Sequence, residues 1–417
     1  MPRIPPIAPL LLCLLVSCQS DDDGGSSPPV PDSGHLSLDG TGKLLRGPYL
    51  QSVGPRTVTI SWSTDVNSTS RVKYWAEPGD AREVFGRTFI PGPTTDNALM
   101  AGTLPETFQH EVVLTSLEPG RSYTYEVLSV PEPKPTATFR APPDADGEYS
   151  FLMFGDTRTN GSDHCQVIDD MVPYVESGEH VAFVLHTGDM VETGGVEDEW
   201  NDFFEFEAPL LRRVPIIPVF GNHELFLGRT IFEGLFQKPS SSQGGTDRWY
   251  SVDVGNMHIA VLDAQSVSTE PQLDWLESDL AGTRADIKVV ALHKPLYTYS
   301  NHAPDVKLRD ELVPILEAHG VALVVSGHNH LYERFFGGGI HYVVSGGGGA
   351  PLYSAHSDPD ADNTGAEVRA EQSVLHFVYG RRNGNEVRFE AISSPNQDVL
   401  DCWVIDVKRP GVELPCD

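Results

Sequence analysis

SFLMFGDTR, at Ser150–Arg158, decides how this chain is read. The run SFLMF is short and apolar, as a buried strand is, and it ends on Gly-Asp. Four further segments repeat the arrangement. HTGDM at His186–Met190 follows VAFVL, and GNHE at Gly221–Glu224 follows PIIPVF. ALH at Ala291–His293 closes IKVVA, and GHNH at Gly327–His330 follows VALVVS. An α/β sheet builds a site along one edge when its strands deliver polar residues at their carboxyl ends. Asp, Asn and His in that position suit two hard or borderline divalent ions, with one carboxylate bridging. A single such segment is weak evidence. Five in order require the same coincidence five times.

The order GD, GD, GNH(E/D), H, GHxH resembles the calcineurin-like metallophosphoesterase superfamily. GHNHLYER at Gly327–Arg334 and GIHYVVSGGGGAPLY at Gly339–Tyr353 are similar to its purple-acid-phosphatase-like branch. GPYLQSVGPRTVTISWST at Gly47–Thr64 resembles the start of that branch's small N-terminal β domain. The likeness runs from about Leu44 to Val407. It implies that Asp156, Asp189 and His330 hold metal 1, and that Asp189, Asn222, His293 and His328 hold metal 2, Asp189 bridging. The cofactors it implies are two divalent or trivalent ions, iron, manganese or zinc. The implied activity is hydrolysis of phosphate monoesters of small phosphorylated substrates, by attack of a metal-bridged hydroxide. His223 is then expected to contact the phosphate and donate a proton. His302 is expected either to face the leaving group or to be a solvent-exposed loop residue. Two alternatives stay open: a phosphodiesterase acting on nucleotides or phospholipid headgroups, and a surface-anchored binding protein whose site has degraded.

Two positions depart from the resemblance. Purple acid phosphatases carry Tyr three residues after the bridging Asp, where this chain has Glu192, so the purple chromophore is not expected. Two residues after the first Asp stands Arg158, where relatives place Gly or a ligating His. Arginine stays protonated and cannot ligate. Arg158 is expected either to fork onto a phosphate oxygen or to pair with Asp163 or Glu192. His164 is either a compensating ligand or a first-turn helix residue. His186 and His376, on apolar strands, read as core residues.

The remainder of the chain sets the context. With 417 residues it is long enough for two domains. A net charge of −30 argues against a nucleic-acid partner, because phosphate backbones are held by Lys and Arg. Residues 1–18 read as a signal peptide, with the apolar run LLLCLLV. Leu15-Val16-Ser17-Cys18 resembles a lipobox, which makes Cys18 the lipidation site and implies an exported lipoprotein of a bacterial cell envelope, at the outer membrane or cell surface. The lipid anchor is then the only membrane contact expected. Residues 19–43, rich in Ser, Asp, Gly and Pro, read as a disordered linker. Residues 44–142 carry alternating runs such as TVTISW, RVKYWA, HEVVLTSL and SYTYEVL, a β-sandwich pattern that resembles a fibronectin-III-like domain. Residues 147–417 alternate strands with helices at Asp163–Glu176, Glu197–Arg213, Gln272–Leu280 and Asp305–His319, then return to β character. The fold class expected is therefore α/β: an N-terminal β-sandwich followed by a four-layer α/β/β/α metallophosphoesterase domain. Cys402 and Cys416 bracket the C-terminal tail and can pair in an oxidising compartment.

Overall fold

The computed structural model describes residues 42–91, 107–226, 229–239, 242–265, 270–409, 411–414 and 416. The expected signal peptide, Cys18 and nearly all of the expected linker lie outside them. Among the described residues no helix is long and apolar enough to cross a membrane.

Two large sheets face each other. The first runs, in spatial order, through Glu413–Leu414, Val399–Asp406, Glu386–Ser393, His376–Asn383, Tyr149–Phe154, Val181–His186 and Ile216–Pro218. The second runs through Tyr250–Val254, Met257–Leu262, Ile287–Leu292, Leu323–Ser326, Ile340–Ser345, Tyr332–Gly337 and Glu367–Gln372. Strand alternation explains the layering, because successive side chains point to opposite faces. Phe151 and Met153 point inward, packing in one cluster with Ile259, Val261, Val289 and Val325 of the facing sheet. Leu152 and Phe154 point outward beneath Val167, Ile168 and Met171 of the helix Gly161–Glu176, and Trp200 and Phe203 of the helix Glu197–Phe206. On the other side Leu262, Val290 and Leu292 lie under Leu276 and Leu280 of the helix Glu270–Gly282, and Leu308 and Leu312 of the helix Val306–Ala318. The result is helix, sheet, sheet, helix. Asp305 caps the last helix by accepting from the Leu308 N–H at 3.0 Å.

The single helix expected over Glu197–Arg213 is two: Glu197–Phe206 and Ala208–Leu211, parted at Glu207. Pro209 accounts for the break. It has no N–H to donate, and its ring clashes with the carbonyl four residues earlier.

The first sheet does not stop at Ile216–Pro218. It continues into Leu44–Gly54, Thr57–Thr64, Phe108–Leu114 and Arg87–Phe89, making eleven strands in all. Gln51 is in parallel register with Ile216 at the junction. The four-stranded sheet Arg82–Phe85, Arg71–Trp75, Ser122–Val127, Thr136–Arg140 completes the N-terminal sandwich. Side chains reinforce the junction. Tyr49 Oη donates to the Leu235 carbonyl at 2.6 Å, and Arg46 Nε donates to Asn201 Oδ1 at 2.7 Å.

Candidate metal centre

Three parallel strands of the first sheet and two of the second end at one edge. Tyr149–Phe154 delivers Asp156, Val181–His186 delivers Asp189, and Ile216–Pro218 leads to Asn222. Ile287–Leu292 delivers His293, and Leu323–Ser326 delivers His328 and His330. The turns that carry them are tight. Asp156, Asp189 and His328 have φ of 57°, 53° and 70°. Few non-glycine residues adopt that left-handed conformation, which costs of order 1–3 kcal/mol each and is found most often where function requires it. Gly221 and Gly327 permit the close approach: a Cβ on Gly221 would collide with Asp189, and one on Gly327 with Asp156.

The polar atoms converge as a cation site requires. His293 Nε2 lies 3.1 Å from Asn222 Oδ1 and 3.3 Å from Asp189 Oδ1. Ligand atoms of Asp189, His293 and His328 all lie within 4.8 Å of one another. Tetrahedral ligands at ~2.1 Å from a zinc-sized ion are about 3.4 Å apart, so this set fits one cation. On the other side of Asp189, His330 Nε2 lies 3.7 Å from Asp156 Oδ1.

Hydrogen bonds fix which ring nitrogen is free. His293 Nδ1–H donates to the Thr187 carbonyl at 2.9 Å, and His330 Nδ1–H to the Pro351 carbonyl at 2.7 Å. His223 Nδ1–H donates to the Glu192 carbonyl at 2.6 Å, and its Nε2 stands 3.8 Å from Asp189 Oδ2. A carbonyl cannot donate, so each of these rings presents Nε2 to the site. Burial keeps His328 and His330 neutral, His330 down to about 4. Burial also raises the Asp156 carboxyl, which the His293 charge partly offsets. Asp189 is driven the other way: burial would raise it, but His293 and His223 hold it well below the ordinary carboxylate range. Burial would lower His293 in turn, and Asp189 lifts it to about 9. The imidazole of this pair therefore carries the proton, which a cation bound there would displace.

The remaining expected residues fall as follows. Arg158 pairs with Glu192, Nη1 to Oε2 at 2.5 Å, and not with Asp163, which accepts from Asn160 Nδ2 at 2.7 Å. Its Nε also lies 3.5 Å from Asp189 Oδ2. His302 is exposed, yet its ring stacks on His328 with centroids 4.3 Å apart. His164 is not at the centre. It is a buried helix residue whose Nε2 meets Glu207 Oε1 at 2.9 Å. His186 and His376 are fully buried and meet the hydroxyls of Thr157 and Ser345, each at 3.2 Å.

Three further residues, to which sequence reasoning assigned no role, shape the site. Glu224, the last residue of GNHE, is buried and accepts from the backbone N–H of Met190 and Gly221, both at 2.7 Å. Asn329, the third residue of GHNH, donates to the His302 carbonyl at 2.8 Å and to Thr298 Oγ1 at 2.9 Å. Tyr353 stacks on His330, centroids 4.1 Å apart. Each sits inside or beside a quoted motif, and that placement was the available signal.

Two carboxylates, a carboxamide oxygen and three imidazoles, at strand ends between two facing sheets, are the donor set and placement expected of a metallophosphoesterase. Residues 149–332 match the calcineurin-like phosphoesterase family and residues 46–141 the purple acid phosphatase N-terminal domain. The chain therefore carries a calcineurin-like metallophosphoesterase domain and a purple acid phosphatase N-terminal domain. An uncharacterized protein of Mycobacterium tuberculosis is 27% identical over 66% of this chain and 59% of its own length. The chain thus spans less than two thirds of that relative. A probable purple acid phosphatase of Arabidopsis thaliana is 26% identical over 77% of this chain and 72% of its own. Acid phosphatase type 7 of Mus musculus is 24% identical over 94% and 90%. Among solved structures, a purple acid phosphatase from yellow lupin seeds superposes with a TM-score of 0.72 at 20% identity, covering 86% of this chain and 74% of that one. That likeness concerns the fold.

Proposed function

We propose that this chain is a metal-dependent phosphoesterase that hydrolyses phosphate monoesters. The observation that carries the reading is the convergence of His293 Nε2 on Asn222 Oδ1 and Asp189 Oδ1, with the opposite ring nitrogen engaged by a carbonyl. Asp189, Asn222, His293 and His328 would hold one cation, and Asp156, Asp189 and His330 a second. The cations supply Lewis acidity and lower the pKa of water where the phosphate is attacked. The protein's own groups do the rest. His223 presents Nε2 over Asp189 and, when protonated, donates to the departing oxygen. Arg158 offers a guanidinium to the phosphate oxygens. His302, stacked on His328 at the open side, faces the leaving group.

The test is hydrolysis of an aryl phosphate monoester and its matched diester, after chelation and again after adding manganese, zinc or iron. Metal-restored monoester turnover is expected, and Asp189→Asn should abolish it and weaken metal loading. Undiminished turnover in that variant would sink the reading. Faster diester turnover would favour a phosphodiesterase on nucleotides or phospholipid headgroups. No turnover and no metal uptake would favour a surface binding protein.

We also infer that the chain works outside the cytoplasm, tethered by a lipid on Cys18. The apolar run before Cys18 supports this, as does the Cys402–Cys416 disulfide, Cα atoms 5.8 Å apart, since disulfides persist in oxidising compartments. Cys18→Ser should move the protein from the membrane to the soluble fraction. An unchanged membrane association would reject the anchor.

A further inference from the structure

Asp189 is divided between two surroundings. Its Oδ1 faces His293 and accepts from the His223 backbone N–H at 3.0 Å. Its Oδ2 faces Arg158 Nε at 3.5 Å. The same guanidinium reaches His330: Nη2 lies 3.4 Å from His330 Nε2. It therefore stands against two of the three side chains on the Asp156 side of the centre, through the atoms that a cation there would use. Arg158 is not a passing surface residue. Its side chain is 13% exposed, Nη1 is tied to Glu192 Oε2, and Nε is buried with no hydrogen-bond partner.

Geometry then sets a conflict. A cation bound to Asp189 Oδ2 at ~2.1 Å would lie no more than about 5.6 Å from Arg158 Nε. At that range, in a buried site, two positive charges repel strongly. The Asp156 side also offers fewer ligands, three against four. Among the described residues no guanidinium pairs with Asn222 or His293.

We propose that Arg158 competes with a cation for the Asp156–Asp189–His330 position, so that the chain holds one cation tightly and a second only weakly. The inference rests on the metal-centre reading above. It makes Arg158 the resident positive charge on that side, available to a substrate phosphate without a second cation.

Metal binding tests it without turnover. The purified chain is loaded with manganese or zinc, dialysed against metal-free buffer and analysed for metal per chain. One equivalent is expected, with a second binding at least tenfold more weakly in titration. Arg158→Gln removes the charge and keeps the bulk, and Arg158→His adds an imidazole. Both should retain two equivalents. Asp156→Asn should lose the weak equivalent and keep the tight one, and the retained equivalent shows in each variant that the centre is folded. Two tight equivalents in the unaltered chain would overturn the competition and leave the phosphoesterase reading intact. So would one equivalent in both Arg158 variants. No metal bound by any form would overturn both.

Discussion

The buried Glu224 carboxylate accepts a hydrogen bond from the backbone N–H of Asp189 at 3.0 Å, on the oxygen that also takes the Gly221 N–H. One side chain thereby ties the turn bearing Asp189 to the turn bearing Asn222. Asp189 sits in the left-handed region, and this clamp is part of what holds it there.

Glu224→Gln replaces one acceptor oxygen by a donor that faces backbone N–H groups. The loss is expected to cost about 3 kcal/mol of stability. Metal affinity should fall by about 10–100-fold, the usual effect of removing a partner behind a ligand. Thermal unfolding and metal titration check both, and a variant with unaltered affinity would deny Glu224 this role.

Asn329 holds His302 from both sides of its backbone, accepting from the His302 N–H at 3.0 Å and donating to its carbonyl at 2.8 Å. Asn329→Ala should therefore mimic His302→Ala, lowering kcat by about 10–100-fold on a substrate with a poor leaving group. The double variant should lose little more than either alone, because the two act as a unit. Fully additive losses would show that Asn329 acts elsewhere.

His258 lies far along the second sheet from these loops, clamped between Asp253 at 2.7 Å and Asp279 at 2.8 Å. Burial alone would lower its pKa, but the two carboxylates outweigh it and raise the imidazole to about 9. A raised histidine stabilises the folded state fully below its unfolded value, about 6.5. That contribution is lost as pH rises through 9. The His258 contribution to stability is expected to fall by about 3 kcal/mol between pH 6.5 and 9.5. In His258→Gln the fall should be shallower by that amount, as denaturant unfolding across that range would reveal.

The Cys402–Cys416 bond closes a span of 14 residues, and a loop of that size is worth roughly 3 kcal/mol in the chain-entropy account. It pins the short edge strand Glu413–Leu414, whose Glu413 also meets Arg334 at 2.7 Å. Cys402→Ser should expose the backbone amides of that strand to rapid hydrogen exchange. Hydrolysis should persist, since the strand lies at the far edge of the first sheet. Unchanged protection would mean that the ion pairs of Glu413 with Arg334 and Arg369, together with the strand pairing, hold the tail without the disulfide.

How legible was all this in the chain? The buried strands announced themselves, because SFLMF, VAFVL, IKVVA and VALVVS are apolar on both faces and lie between two packed layers. The ligand set was legible for a related reason: each ligand closes such a run. Two other matters were not. The linear pattern offered Glu192 and Asp163 alike as partners for Arg158 and could not choose between them, since the turns bearing Arg158 and Glu192 are joined only by the sheet. Nor does it say that Glu224 and Asn329 point back into the scaffold, because short polar residues inside a motif look alike whether they face a ligand or a backbone N–H. The split at Glu207 was readable from Pro209, but the amphipathic pattern runs straight across it. The helix Arg229–Leu235 is seven residues long, too short for periodicity to reveal.

The shared sheet has a consequence for ancestry. Ile216–Pro218 has only three residues, and the strand Leu44–Gly54 covers its outer side just ahead of the turn that carries Asn222. A lineage that discarded residues 44–141 would bare that edge beside the centre and invite foreign strands to add there. A descendant that sheds the front part must first evolve a patch for the edge it leaves behind.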